Sequence, residues 1–297
     1  MFFKRLLMTG GGLAAAALLV KAAEKEALAQ VEVVSSSERM GKAEKTKRNM
    51  EIARAAIVGQ PAASWDSNWD FRDPAALVTK TQLSEARQKG ALLFDTIIQC
   101  SRYIYLLRHG QYKYEGEDHD QVLTELGEAQ ARATGKRLKS SGIVFQRLVN
   151  STLTRASQTA DLIAAEMEPR QILRRSSDSL LEEGRPYPVD PPFIKDVVMK
   201  DVVSDGTRIE AAFRRYFHRA SPDTEKDEHE ILVCHANVTR YFMMRALQLP
   251  PEAWLRLALP CLAHGSITVL VIRPNGHVQL WSFGDAGHMP PEMISSR

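Results

Sequence analysis

The chain has 297 residues, 44% of them hydrophobic and 25% charged, a globular balance long enough to bury a substantial core in one large domain or two small ones. The formal charge of +3 is too small to argue for nucleic acid, and much of the excess sits in Lys42, Lys45, Lys47 and Arg48. The cysteines, Cys100, Cys234 and Cys261, form no CxxC pair, which excludes a disulfide framework and gives no support to a structural zinc site.

Residues 1–23 open with Lys4 and Arg5, followed by an uncharged run from Leu6 to Val20 that Lys21 closes. The run is shorter than the ~20 apolar residues of an ordinary membrane span. Its flanking basic side chains can snorkel, so it reads as a short membrane anchor or targeting segment, with a cleavable secretory signal ending near Ala22-Ala23 as the competing reading. Gly10, Gly11 and Gly12 are not a phosphate loop, because no strand precedes them and no Lys-Ser/Thr follows. Residues 24–62 are rich in Ala, Glu, Lys and Arg, with little to bury, and read as a solvated helix or flexible spacer.

In residues 63–74, two of the four tryptophans fall close together, each followed by Asp, in Trp65-Asp66-Ser67-Asn68-Trp69-Asp70. Two readings stay open. The segment is a loop capping the domain surface, or it is an aromatic anchor that docks on another subunit, since Trp is enriched at interface hot spots.

Strands and helices alternate regularly from about residue 100. A buried strand over 103–107 ends abruptly in Arg108-His109-Gly110. A helix over 124–141 starts at Thr124 and stops at Gly142. A short strand at 147–150 leads into a helix that ends near 167, and Ile172-Leu173 is a candidate edge strand. Pro186, Pro188, Pro191 and Pro192 rule out regular structure over 184–193. A helix over 209–218 precedes a strand at 231–234, with His235 directly after it. A helix at 237–247 and a hairpin of strands 266–272 and 277–283 complete a three-layer α/β domain within residues 95–297.

Strands of an open α/β sheet present their ligands beyond the carboxyl ends. Arg108 and His109 follow one strand, Arg155 a second and His235 a third, with Glu182-Glu183 in an irregular loop. Guanidinium groups and imidazoles brought to one edge predict an anionic ligand, and phosphate suits the bidentate geometry of arginine. A divalent metal is disfavoured, because arginine would repel it and no HxH or HExxH spacing occurs. Cys234 beside His235 invites a Cys/His catalytic pair. Adjacent strand residues point to opposite faces, however, so Cys234 reads as packing.

Leu107-Arg108-His109-Gly110, then Leu123-Thr124-x-x-Gly127-x-x-Gln130-Ala131, then Ser151-x-x-x-Arg155-Ala156-x-Gln158-Thr159 resemble the signature of the histidine phosphatase superfamily, with its phosphoglycerate mutase-like fold. The Trp-Asp segment, Val233–Tyr241, Trp254–Leu257, Gly265–Thr268 and the tail Gly284-Asp285-x-Gly287-x-Met289-Pro290-Pro291 look like one branch of it, the mitochondrial phosphoglycerate mutase-like serine/threonine protein phosphatases. The resemblance spans residues 65–295. It implies that His109 is the nucleophile and forms a phosphohistidine. It implies further that Arg108, Arg155 and His235 bind the phosphoryl oxygens, and that Glu183, rather than its neighbour Glu182, is the acid and base. No metal or cofactor is implied.

The resemblance also implies phosphoprotein substrates, a stress-activated kinase among the partners, and a role in mitochondrial dynamics. Trp65, Asp66, Asn68, Trp69 and Asp70 would assemble a ring-like homo-oligomer, held by the amino-terminal anchor to the outer or inner mitochondrial membrane. Residues 260–264 depart from the branch, where an Asn-containing segment is expected before Gly265, so the wall of the site near His264 is not carried over. A metabolite phosphatase or a mutase shares the fold, but has no use for residues 1–60 or the Trp-Asp pair. A non-catalytic scaffold would not need Arg108, His109, Arg155, Glu183 and His235 together.

Overall fold

The computed structural model describes residues 65–72, 84, 100–188, 199–221, 223–257 and 261–296. The expected anchor over 1–23, the spacer over 24–62 and the prolines at 191 and 192 lie outside them. Among the described residues no helix is long and apolar enough to cross a membrane. The chain divides into two compact units, Met1–Trp65 and Asp66–Arg297, and the sheet belongs to the second.

Six strands form one sheet: β1 (Arg102–Arg108), β2 (Arg147–Asn150), β3 (Arg175–Ser177), β4 (Glu228–Cys234), β5 (Ile267–Ile272) and β6 (Val278–Asp285), in the order β3-β2-β4-β1-β5-β6. The first four strands in that order run parallel, β5 runs antiparallel to β1, and β6 antiparallel to β5. Register sets Leu107 beside Val233 and Arg108 beside Cys234, so β1 and β4 end level. Helices α1 (Glu125–Ser140), α2 (Thr154–Glu166), α3 (Met199–Tyr216) and α4 (Ala236–Ala246) accompany the sheet among the described residues.

The layers follow from which side chains are apolar at which period. Leu107, Ile231, Val233 and Ile267 from the sheet pack with Leu138 of α1 and with Ala156, Ala160 and Ile163 of α2. Small residues on α2 let that helix lie close to the strands. The second apolar layer joins α3 and α4 through Phe213, Phe217 and Phe242, whose rings lie 4.8 to 6.0 Å apart. Almost every residue of α4 is buried.

Most expected elements stand within a residue or two of their places, and three do not. β4 opens at Glu228, three residues ahead of the expected Ile231. The edge strand is Arg175–Ser177, exposed at each residue, whereas Ile172 makes only an isolated bridge with Phe145. The helix expected from Ile209 begins at Met199; its first turns are mostly exposed, with Val202 the one buried side chain ahead of Ile209 and Gly206, a poor helix former, between them.

The mixed sheet has one consequence for placement. The parallel strands deliver the residues that follow them to one edge. Because β5 runs the other way, the loop that enters it reaches the same edge, and β6 ends there too, with Asp285 opposite Ile267. The chain therefore returns residues 261–266 and the carboxyl-terminal tail to the place where β1 and β4 end.

Candidate active site

The loop after β1 is held on every side by its own backbone. Arg108 N donates to Ser266 O at 3.2 Å and His109 N to Cys234 O at 3.1 Å. Gly110 N donates to Thr159 Oγ1 at 3.0 Å, and Gln111 N to Gln130 Oε1 at 2.8 Å. Thr124 caps α1 by accepting from Gly127 N at 3.0 Å, and its own N donates to Gln111 O. A side chain on Gly110 or Gly127 would collide with the other segment's backbone, so glycine at both positions permits this approach.

A cleft of about 570 Å³ opens over this loop, lined among others by Arg108, His109, Arg155, Glu183, Arg240 and His264. His109 is 3% exposed. Its Nδ1 lies 2.8 Å from the carbonyl of Gly110, which can only accept, so the proton sits on Nδ1 and Nε2 keeps its lone pair. Burial, reinforced by His235, Arg108, Arg155 and His264, holds its pKa well below the usual imidazole value. His109 is thus a neutral imidazole with a free nitrogen, the form a nucleophile needs.

His235, whose ring lies 5.0 Å from that of His109, is fully buried at the N-cap position of α4, where its side chain makes no capping hydrogen bond. Its Nε2 is 2.8 Å from Ser151 Oγ, and its Nδ1 has no hydrogen-bond partner among the described residues. Burial and the charges of Arg155 and Arg108 lower its pKa far below 6.5 as well. Arg155 sits in the first turn of α2, where the helix end favours an anion. Its guanidinium is tied to Asp118 and lies 4.8 Å from the ring of Tyr112. Burial draws the pKa of Arg108 down to about 10, so it stays charged at neutral pH.

Glu183 faces this group from the cleft wall. Burial raises its pKa, and the N–H groups of Gly184 and Asn237, with Arg108 and Arg155, only partly offset that. A carboxyl whose pKa is raised, beside two guanidinium groups, is suited to donate a proton. Glu182 does not line the cleft, and its carboxylate accepts from the Thr152 hydroxyl.

The sequences of known proteins agree with this geometry. The family model of the histidine phosphatase superfamily (branch 1) matches residues 104–183. The mitochondrial serine/threonine-protein phosphatase PGAM5 of Xenopus laevis is 42% identical over 299 residues, which cover 99% of each chain. This chain belongs to the PGAM5 family of the histidine phosphatase superfamily. PGAM5 of Homo sapiens is 46% identical over 237 residues, covering 78% of this chain and 80% of that one. Among solved structures, phosphoglycerate mutase from Plasmodium falciparum is 30% identical, covers 65% of this chain and 96% of its own, and has a TM-score of 0.46.

The residues expected at the site fall into two groups. Arg108, His109, Arg155 and Glu183 line the cleft and His235 packs behind it. Asp66, Asn68, Trp69 and Asp70 are not among its lining residues, and Trp65 belongs to the other compact unit. Trp69 is buried against Phe213 and donates from Nε1 to Gly276 O at 2.8 Å. Asp70 takes a two-pronged contact from Arg219, at 2.5 and 3.0 Å, with both side chains buried. Asp66 is tied to Gln248 through backbone and side chain, and Asn68 N donates to Asp66 Oδ1.

Sequence reasoning missed Tyr112, Arg240 and Ser296 as cleft residues and left His264 unassigned. Arg240, one turn into α4, is one of two basic residues on that helix, with Arg245 in its last turn. Cys234 is fully buried, its thiol pushed up to about 12 by that burial, so it is an inert packing group.

Proposed function

We propose that this cleft hydrolyses phosphoserine and phosphothreonine in proteins through a phosphoryl group held transiently on His109. The chain is, with its family, a mitochondrial serine/threonine-protein phosphatase. The observation that carries the mechanism is the 2.8 Å contact from His109 Nδ1 to the Gly110 carbonyl, which leaves Nε2 unprotonated in the cleft. Nε2 attacks phosphorus, the P–N bond forms, and the ester P–O bond breaks. Glu183 gives its proton to the departing side-chain oxygen, which leaves as the serine or threonine hydroxyl. The Glu183 carboxylate then takes a proton from water, whose oxygen attacks the same phosphorus and frees His109 and inorganic phosphate. Arg108 and Arg155 hold the phosphoryl oxygens by charge-assisted hydrogen bonds, and His235 completes the cradle. Every bond and proton balances with no metal or cofactor.

The test is turnover of the full chain on phosphothreonine peptides and on phosphoglycerate, with a chelator present. Turnover of the peptides and little of phosphoglycerate is expected. The reverse preference makes this a small-molecule phosphatase or mutase, and no turnover of either makes it an interaction scaffold.

Membrane attachment through residues 1–23, at the outer or inner mitochondrial membrane, belongs to the same proposal. So does a ring-like homo-oligomer built on Trp65, Asp66, Asn68, Trp69 and Asp70, and a stress-activated kinase among the partners. What supports the oligomer is that the socket for this segment, where Phe213 and Gly276 O meet Trp69 and Arg219 holds Ser67 O and Asp70, is present on every copy. A neighbour's segment therefore fits it as well as the chain's own. Replacing Trp65 and Trp69 with Ala should give a smaller particle on sedimentation and slower turnover. An unchanged particle refutes the assembly.

A further inference from the structure

His264 stands in the wall of the cleft, its ring 5.5 Å from that of His109, and has no part in the proton or phosphoryl transfers above. Its hydrogen bonds fix its tautomer. A guanidinium has donors only, so Arg108 Nη2, 3.0 Å away, donates to His264 Nε2. The proton is then on Nδ1, which donates to Ser295 Oγ at 3.0 Å. Gln130 of α1 donates to the same Oγ at 2.9 Å and to Met293 O at 2.7 Å, and His264 N donates to Ser295 O at 2.8 Å. The tail is thereby pinned to both α1 and the loop that enters β5.

Arg108 needs such a partner. Arg155 and Arg240 press on it with like charge. The carbonyl of Leu262 accepts from Nη1 at 2.5 Å, and that of Ser296 from both Nη1 and Nη2 at 3.2 Å. Leu262 holds Nη1 closely, whereas Ser296 O is shared between the two amino groups at 3.2 Å and gives Nη2 only a long, bifurcated contact. An acceptor on Nη2, set by a rigid ring, fixes the plane. Burial and the neighbouring Arg108 lower the His264 pKa to about 3, so its Nε2 remains an acceptor across the neutral range.

We propose that His264 is a positioning residue for phosphoryl binding: it orients the Arg108 guanidinium and is itself kept in the required tautomer by Ser295 of the carboxyl-terminal tail. The inference rests on the reading that this cleft binds a phosphoryl group.

The test measures competitive inhibition by inorganic phosphate, together with kcat and KM on a phosphothreonine peptide and thermal unfolding, all in the full chain. His264→Leu should weaken phosphate inhibition and raise KM about ten-fold or more, the scale of a lost hydrogen bond to a charged group, beyond any change in melting temperature. His264→Gln, whose amide oxygen can accept from Arg108, should restore most of the loss. Ser295→Ala should cause a smaller loss that disappears in the His264→Leu background, since the two act as one relay. Unchanged inhibition in folded His264→Leu overturns the proposal. So does tighter inhibition, which would mean that His264 holds the tail over the site rather than Arg108 within it. A failure of Gln to rescue, or an additive effect of Ser295→Ala, reduces the role to packing. Should His264→Leu not fold, His264→Gln and Ser295→Ala decide it: inhibition near wild type in the first and weakened in the second is expected, and any other pair of results overturns it. If phosphate fails to inhibit even the unmodified chain, the reading of the cleft fails and the role of His264 in phosphoryl binding falls with it, an outcome distinct from unchanged inhibition in His264→Leu alone.

Discussion

Gly127→Ala separates the cost of misplacing His109 from the cost of unfolding. Gly127 lies in the first turn of α1, and an added Cβ would stand 1.9 Å from Gln111 O and 2.9 Å from its N and C, whereas ordinary contact begins near 3.4 Å. Both partners are backbone, and neither can rotate away. The helix and the loop must part by roughly 1.5 Å, since repulsion at the shorter distance far exceeds any dispersion gain. Overpacking of this kind costs about 1–3 kcal/mol, and the better helix propensity of Ala returns about 1 kcal/mol of it. The net loss of stability is therefore modest. Activity is another matter, because the displaced loop carries His109, and a shift of about 1 Å in a reacting group costs on the order of 100-fold in rate. Calorimetry should show a folded protein with a slightly lowered melting temperature, and phosphothreonine-peptide turnover should fall about 100-fold. Gly142→Ala is the control: φ is +68° and nothing lies within 4 Å, so it should cost about 1 kcal/mol of strain and leave turnover intact. Wild-type turnover in Gly127→Ala would refute the claim that this backbone contact sets the nucleophile.

Glu183→Gln should slow hydrolysis of phosphoserine by about 100- to 10,000-fold, the usual worth of a general acid. It should slow an aryl phosphate far less, because that leaving group needs no proton, and equal losses on both substrates would remove Glu183 from the acid role. With the Glu183 pKa raised and the His109 pKa depressed, kcat on phosphoserine should decline as pH rises through the Glu183 value and hold on the acid side to well below 6.5. A profile whose acid limb falls near 6.5 would contradict the neutral nucleophile. Asp70→Ala strands the buried Arg219 and should cost about 3–5 kcal/mol in urea unfolding at neutral pH. Burial alone would raise the Asp70 pKa, but the hydrogen bonds and charge of Arg219 outweigh it and lower the value. The stabilisation is therefore present above the unfolded pKa of about 3.9 and lost as pH falls through the folded one, so wild type and variant should converge in acid. A neutral-pH difference under about 1 kcal/mol would show that the pair does not hold the segment.

Much of this site was legible because parallel strands are readable in sequence. β1 and β4 are apolar runs that end in a sudden polar group, and the Ser/Thr-rich entry to α2 marks Arg155 as a helix-start residue. Their convergence follows from the parallel register rather than from any one motif. His264 and Ser296 reach the cleft only because β5 runs antiparallel and β6 ends at the same edge, a fact of pairing that local composition does not carry. The exposed edge strand Arg175–Ser177 has no apolar residue to announce it, and the first half of α3 sets Met199, Val202 and Val203 among polar residues and Gly206, with only Val202 buried, so both escaped a reading based on burial. The Trp-Asp segment was ambiguous for a different reason, since a buried Trp69 satisfies a surface cap and a subunit anchor alike.

Label transfer tests directly whether His109 carries the phosphoryl group. Rapid acid-free quenching of the full chain during turnover of a peptide labelled at its phosphothreonine phosphorus should leave label on the protein. That label should be stable to base, labile to acid and located at His109. The His109→Ala chain should take up none and release no phosphate. Label on any other residue, or phosphate release that survives His109→Ala, would contradict the account.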